Sequence, residues 1–258
     1  MNKLSIRNLS VYLENKLILS EINLDLHQGK INCLMGPNGS GKSTLAQAMM
    51  GHPAYRLAAD KPAPELMLDG RNLAELPPDE RSRRGLFLAF QNPVSVPGVN
   101  VANLLRVAVR EKTNGIKKGK HNPALNVIAL NENIFSVSKK LAMPKEFLIR
   151  GLNEEFSGGE KKKLEMLQAL ILSPKFAIFD EIDTGLDVDA LKIVANGISQ
   201  LKKNGTGILI ITHYQRLLKY AKPDFVHILI QGRIVASGGS ELALEVEKNG
   251  YRKFLKKK

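Results

Sequence analysis

Gly36-Pro37-Asn38-Gly39-Ser40-Gly41-Lys42-Ser43-Thr44 fits the pattern G-x-x-x-x-G-K-[ST], a phosphate-binding P-loop. The residues before it, Ile31-Asn32-Cys33-Leu34-Met35, read as a short buried strand, and Leu45 to Met50 read as a helix. That strand–loop–helix setting is the one the motif requires. Its glycines permit a tight turn that offers backbone N–H groups to phosphate oxygens. The helix start adds the positive end of a dipole. Lys42 is expected to reach the β- and γ-phosphates of a nucleotide, and Ser43 to ligate Mg²⁺.

Working outward, the N-terminal part alternates apolar and polar residues from Leu4 to Leu13 and again from Ile22 to Leu26, with a turn at Glu14-Asn15-Lys16. This is the period of half-buried strands. Leu66-Met67-Leu68 and Leu86 to Phe90 are further strand candidates. From about Pro97 to Asn153 the pattern changes. Val101 to Glu111 and Leu125 to Leu141 look helical, around a basic, glycine-containing loop at Thr113–Asn122. This stretch, about 97–155, reads as a helical subdomain inserted into an α/β core. Buried strands return at Phe176–Phe179 and Ile208–Ile211, followed by helices at Asp189–Leu201 and Gln215–Tyr220. Strand–helix alternation of this kind predicts a parallel sheet. Val226–Ile230 and Arg233–Ala236 meet at a hairpin-like turn, Gln231-Gly232. Residues 241–258 are expected to form a C-terminal helix and a basic tail.

Composition narrows the class. The chain has 258 residues, enough for one large α/β domain. No apolar run approaches the ~20 residues of a membrane-spanning helix, and Met1-Asn2-Lys3-Leu4-Ser5 resembles neither a signal nor a transit peptide. A cytoplasmic protein without direct membrane insertion is expected. Cys33 is the single cysteine, which excludes an internal disulfide and a multi-cysteine metal site. The net charge of +13 is spread among scattered lysine clusters. None carries the interleaved aromatics that stack bases, so no nucleic-acid partner is expected.

Three further strings carry chemistry. Phe176-Ala177-Ile178-Phe179-Asp180-Glu181 is an apolar strand ending in two carboxylates. Asp180 suits the Mg²⁺ shell, and Glu181 suits orienting and deprotonating a water that attacks the γ-phosphate. Phe156-Ser157-Gly158-Gly159-Glu160 opens a lysine-rich helix, with Ser157 as an N-cap. The third is the end of the strand Ile208–Thr212, where His213 follows.

In this order the strings resemble the ABC-type ATPases over nearly the full chain. The resemblance implies an α/β fold of ABC ATPase type, 1–258 as one domain. Its P-loop core has a mainly parallel sheet (about 1–96 and 156–240). An N-terminal antiparallel β subdomain and the helical insert complete it. ATP and Mg²⁺ are the implied cofactors and ATP hydrolysis the implied reaction. Tyr12 falls where such proteins stack an aromatic ring on adenine. Gln91 is similar to the Q-loop glutamine that touches Mg²⁺ and the attacking water. His213 resembles the γ-phosphate-sensing switch histidine. Ser157, Gly158 and Gly159 resemble the signature that covers ATP from a second subunit, and Asp187 the D-loop aspartate at that interface. The implied active form therefore pairs two ABC subunits.

Strings outside the shared ATP chemistry narrow the resemblance. They are Phe90–Val99, Phe156–Lys163, Asp180–Lys192, Ile211–Leu218, Gln231–Val235 and Gly250-Tyr251. They resemble the SUF-system ATPases of the SufC type, which work with SufB- and SufD-type scaffold proteins in iron–sulfur cluster assembly. The nucleotide-binding subunit of an ABC membrane transporter is the alternative. A lysine of the run Lys161-Lys162-Lys163 is also placed to hold Glu181 back from the γ-phosphate.

Overall fold

A computed structural model describes residues 3–58, 62–114, 126–212 and 215–255. Strand β1 (Lys3–Leu13) and β2 (Lys16–His27) pair antiparallel around the turn expected at Glu14. Their inward residues change phase, from Leu4 and Ile6 to Leu9 and Val11 on β1. The register shifts at the same place, and Asn8 there adopts φ +52°. A bulge thus keeps both halves of the strand facing one core.

The parallel sheet contains β3 (Ile31–Met35) at its centre. The first sheet is completed by β4 (Tyr55–Leu57), β5 (Glu65–Leu68) and β6 (Arg71–Asn72), in the order β2-β1-β5-β6 with β4 also on β1. Next come β7 (Leu86–Ala89), and the antiparallel pair β8 (Val96–Asn100) and β9 (Gly151–Leu152). The parallel sheet continues with β10 (Phe176–Asp180), β11 (Gly207–Ile211) and β12 (Phe225–Ile230), and ends in antiparallel β13 (Arg233–Gly238). Its order is β13-β12-β3-β11-β10-β7. Every residue of β3, β7, β10 and β11 is buried, as strands covered on both faces require.

The helices are α1 (Lys42–Met50), α2 (Pro78–Arg83), α3 (Val101–Asn114), α4 (Val127–Lys140), α5 (Gly158–Leu172), α6 (Val188–Lys203), α7 (Gln215–Tyr220), α8 (Ser240–Asn249) and α9 (Arg252–Leu255). The inserted stretch carries α3, α4 and a 3₁₀ turn at Lys145–Leu148. Pairing of Val96 with Leu152 and Asn100 with Gly151 joins its two ends. The short α2, β8 and β9 go beyond the sequence reading. The basic loop expected at Thr113–Asn122 falls mostly outside the described residues, as does the final lysine tail.

Because β3, β7, β10 and β11 run parallel, their C-terminal ends share one edge. The P-loop, Gln91, Asp180 and Thr212 all follow or close those ends. Ligands of open parallel sheets bind at such edges.

Candidate functional site

The P-loop is the turn between β3 and α1. Gly36 is buried, and a Cβ there would lie 2.1 Å from the Leu229 carbonyl oxygen, so only glycine fits. Gly41 closes the loop at φ +104°, where a Cβ would meet the Leu19 side chain at 2.6 Å. No side chain caps the start of α1, which leaves its first N–H groups for an anion. The loop is also held from behind. Gly232, in the turn between β12 and β13, donates its N–H to the Ser40 carbonyl at 3.0 Å and accepts from the Ser20 N–H at 2.9 Å. Lys42 is buried and donates to the carbonyls of Gly36 (2.9 Å) and Pro37 (3.0 Å). Burial pushes its ammonium below the ordinary lysine value, against the opposing pull of Glu181 and Asp180.

Asp180 closes β10 beside the P-loop and is buried. Burial raises its pKa, while a hydrogen bond from Ser43 lowers it. Its Oδ1 is buried without a hydrogen-bond partner. A hydroxyl and a carboxylate with an unspent, buried oxygen are hard donors of the kind Mg²⁺ selects. The residues present therefore fit Mg²⁺. Glu181 turns away from the strand at φ +48°, a left-handed conformation that is uncommon outside glycine and clusters at active sites. Gln91, just beyond β7, donates from Nε2 to Glu181 Oε2 at 2.5 Å. The structure thus brings Lys42, Ser43, Gln91, Asp180 and Glu181 into one constellation.

The lysine run behaves differently from the sequence expectation. Lys162 does not bond Glu181. Its buried ammonium donates to the carbonyls of Phe90, at 3.1 Å, and of Gln91. Lys163 points to the Ala142 carbonyl at 3.5 Å. Glu181 accepts instead from the Gln91 amide.

Ser157 is the N-cap of α5. Its hydroxyl accepts the Glu160 N–H at 3.3 Å, and Glu160 accepts the Ser157 N–H at 2.7 Å, a complete capping box. Ser157, Gly158 and Asp187 are exposed. Gly159 packs near Leu186, which places the signature beside the D-loop. Asp187 caps α6 by accepting the Ala190 N–H at 2.7 Å. These residues form a second surface group, separate from the hydrogen bonds of the P-loop. Tyr12 pairs in register with Leu17, beside the hairpin residues that touch Gly41. The Arg56 guanidinium lies 4.8 Å from its ring centre, so Arg56 shares that aromatic face. Pro37, Asn38 and Gly39 line the open side of the loop, and Thr44 sits in the first turn of α1. His213 lies outside the described residues.

Two buried charges near the site were not singled out from sequence. Glu165, on α5, accepts from the Gln168 amide at 3.3 Å, and burial pushes its carboxyl up to about 7, against the opposing pull of Lys162. Arg81, on α2, donates to the carbonyls of Ala48, Met49, Ala74 and Leu76 at 2.7–2.9 Å. It thereby closes the C-terminal end of α1; burial lowers its pKa to about 10. A charged residue between the apolar Leu164 and Met166 was the only signal at Glu165, and Arg81, among other charged residues, offered none.

Comparison with known proteins places this geometry. A sequence model of the ABC transporter family matches residues 19–184. A probable ABC transporter ATP-binding protein of Streptococcus pyogenes is 46% identical over 254 residues, covering 97% of this chain and 94% of that protein. Vegetative protein 296 of Bacillus subtilis is 46% identical, covering 96% and 91%. A probable ATP-dependent transporter, ycf16, of Trieres chinensis is 42% identical over 96% of both. Among solved structures, the ATP-binding subunit of an ABC transporter superposes with a TM-score of 0.75 at 24% identity, covering 96% and 94% of the two chains, a likeness of fold. A family model over residues 19–184 and relatives 42–46% identical over nearly the whole chain show that the chain belongs to the ABC transporter family, as an ABC-type ATPase that uses ATP and Mg²⁺.

Proposed function

We propose that this chain is the ATP-hydrolysing subunit of a SUF-type iron–sulfur cluster assembly machine. It would drive conformational change in SufB- and SufD-type scaffold partners through ATP-dependent dimerisation. The observation that carries a partner-coupled ATPase is the surface beside Gln91. Phe90, Val94 and Val96 are exposed on the stretch around it, Val94 at 75%. Asn153 donates to the Val94 carbonyl at 2.9 Å, anchoring this stretch beside β9. An apolar patch one residue from the glutamine that holds Glu181 suits a partner that senses the nucleotide. The specific support for the SUF reading is sequence: Phe90–Val99 and Asp180–Lys192 resemble SufC-type strings away from the ATP chemistry.

Within this reading, P-loop residues Gly36–Thr44 cradle the phosphates and Tyr12 abuts the adenine. Ser43, Asp180 and Gln91 hold Mg²⁺, which when bound neutralises phosphate charge. Glu181 takes a proton from the attacking water, Gln91 orients that water, and His213 contacts the γ-phosphate. Ser157, Gly158, Gly159 and Asp187 serve the site of a second subunit. Neither half-site surrounds the γ-phosphate alone, so closure supplies preorganised donors around it.

The second reading, the nucleotide-binding subunit of an ABC transporter, is favoured by the printed names of the relatives. No helix among the described residues is long and apolar enough to cross a membrane, so either reading requires partners for its cargo. A pull-down from native cells tests the two. Co-purification with scaffold proteins carrying iron and sulfide is expected. Co-purification with a permease in the membrane fraction, without iron or sulfide, would replace the first reading by the second.

A further inference from the structure

The turn that follows β10 is tied to the neighbouring strand by two bonds. β10 and β11 run parallel, with Asp180 opposite Ile211. One residue on, the Glu181 N–H donates to the Ile211 carbonyl at 2.9 Å. Two residues further, the Asp183 carboxylate accepts the Thr212 hydroxyl at 2.8 Å. Both partners of that second bond are buried, Asp183 at 7% exposure and Thr212 at 0%. The chain between them folds back on itself. The Thr184 N–H donates to the Glu181 carbonyl at 3.2 Å, and the Leu186 N–H to the Asp183 carbonyl at 3.4 Å. Asp187 comes next and caps α6. A continuous run of hydrogen bonds thus leads from the end of β11, through Glu181 and Asp183, to the exposed Asp187.

We propose that Asp183 is a positioning residue for ATP hydrolysis, with Thr212 as the fixed point to which it is tied. Glu181 holds a left-handed backbone conformation, and such a conformation persists only where its surroundings over-determine it. The bond to Ile211 fixes the near side of the turn. The bond from Thr212 to Asp183 fixes the far side, so Glu181 projects from a closed frame. The same frame ends in Asp187, so a second subunit that engages Asp187 acts on Glu181 through Asp183. Packing does not account for this pair. A leucine and a valine would fill the space with no buried polar group to satisfy, whereas a buried carboxylate is costly unless it is hydrogen-bonded. The proposal rests on the reading of Glu181 as the residue that deprotonates the attacking water.

In the full chain, Thr212→Val keeps the shape of the side chain and removes the donor. It is expected to lower kcat by about 10- to 100-fold with KM for ATP held within about twofold. Thr212→Ser keeps the hydroxyl and is expected to restore most of that loss. Asp183→Ala and the double variant Asp183→Ala with Thr212→Val complete a cycle. Because the two side chains act through one bond, the double variant is expected to lose no more turnover than Asp183→Ala alone. Parent-like turnover in Thr212→Val overturns the proposal, as does a rise in KM at constant kcat. Equal losses in Thr212→Val and Thr212→Ser overturn it, and so do losses that multiply in the double variant. A Thr212→Val chain that no longer folds or binds ATP shows a bond that serves the fold alone, and overturns it too. Glu181→Gln is measured alongside. Normal turnover there removes the reading of Glu181 and this proposal with it, whereas lost turnover there beside parent-like Thr212→Val removes this proposal alone.

Discussion

Glu181 shows how much one side chain can be made to carry. Its left-handed backbone costs on the order of 1 kcal/mol, and its carboxylate accepts from the Gln91 amide. Glu181→Gln preserves shape and removes basicity. It is expected to keep ATP binding, slow hydrolysis by ~10²–10⁴ and accumulate an ATP-bound dimer. Nucleotide binding, phosphate release and size-exclusion chromatography with ATP check the three parts. A monomer under saturating ATP would contradict the sandwich arrangement. The clustering of Lys42, Asp180 and Glu181 was legible because a phosphate-binding pattern prescribes residue types and spacing along the chain. Glu165 was not. Its burial comes from elements distant in sequence that pack against α5, and such packing leaves no mark in a residue string. The lysine run misled in a similar way: one of its lysines was expected on Glu181, and Lys162 donates to two carbonyls, which leave no mark in a residue string.

Among elements, α1 is short and bears its load at both ends. Its N-terminal end faces the phosphate loop, and its C-terminal carbonyls of Ala48 and Met49 are closed by Arg81. Arg81→Leu leaves four carbonyls without this donor in a buried setting. A loss of ~3 kcal/mol is expected, measured by denaturant unfolding, with Arg81→Lys recovering a part. A stability unchanged in Arg81→Leu would show that water replaces the guanidinium without cost. Long or wholly apolar elements were readable: α6, expected at Asp189–Leu201 and found at Val188–Lys203, β3, and the run closing in Asp180 follow from pattern alone. α2, β8 and β9 were not. α2 holds six residues and β9 two, too few for a period to emerge. β8 contains Pro97 and Gly98, which argue locally against a strand, and pairs only because Leu152 returns beside it.

At the scale of the whole molecule, a polar bridge crosses the sheet. His227 on β12 joins Ser237 on β13 at 2.8 Å and Asn32 on β3 at 3.2 Å. Burial lowers its pKa to about 4 from 6.5. The unfolded chain therefore binds a proton between those values while the folded chain does not. Its contribution to stability is complete above pH 6.5, declines as pH falls, and is gone below pH 4. The difference amounts to about 3 kcal/mol by linkage. Thermal melts of the parent between pH 7.5 and 4.5 are expected to fall more steeply than those of His227→Gln; parallel curves would discount the bridge. Another long-range tie has a temporal meaning. Gly232 bonds both Ser40 of the phosphate loop and Ser20 of the first hairpin, and the chain is made from its N-terminus. A nascent polypeptide that has emerged through α1 already displays the entire nucleotide motif, yet the floor beneath it is still untranslated. ATP competence is thereby deferred until nearly the whole protein has left the ribosome, and a truncated product inherits the signature of an ATPase without a finished cradle.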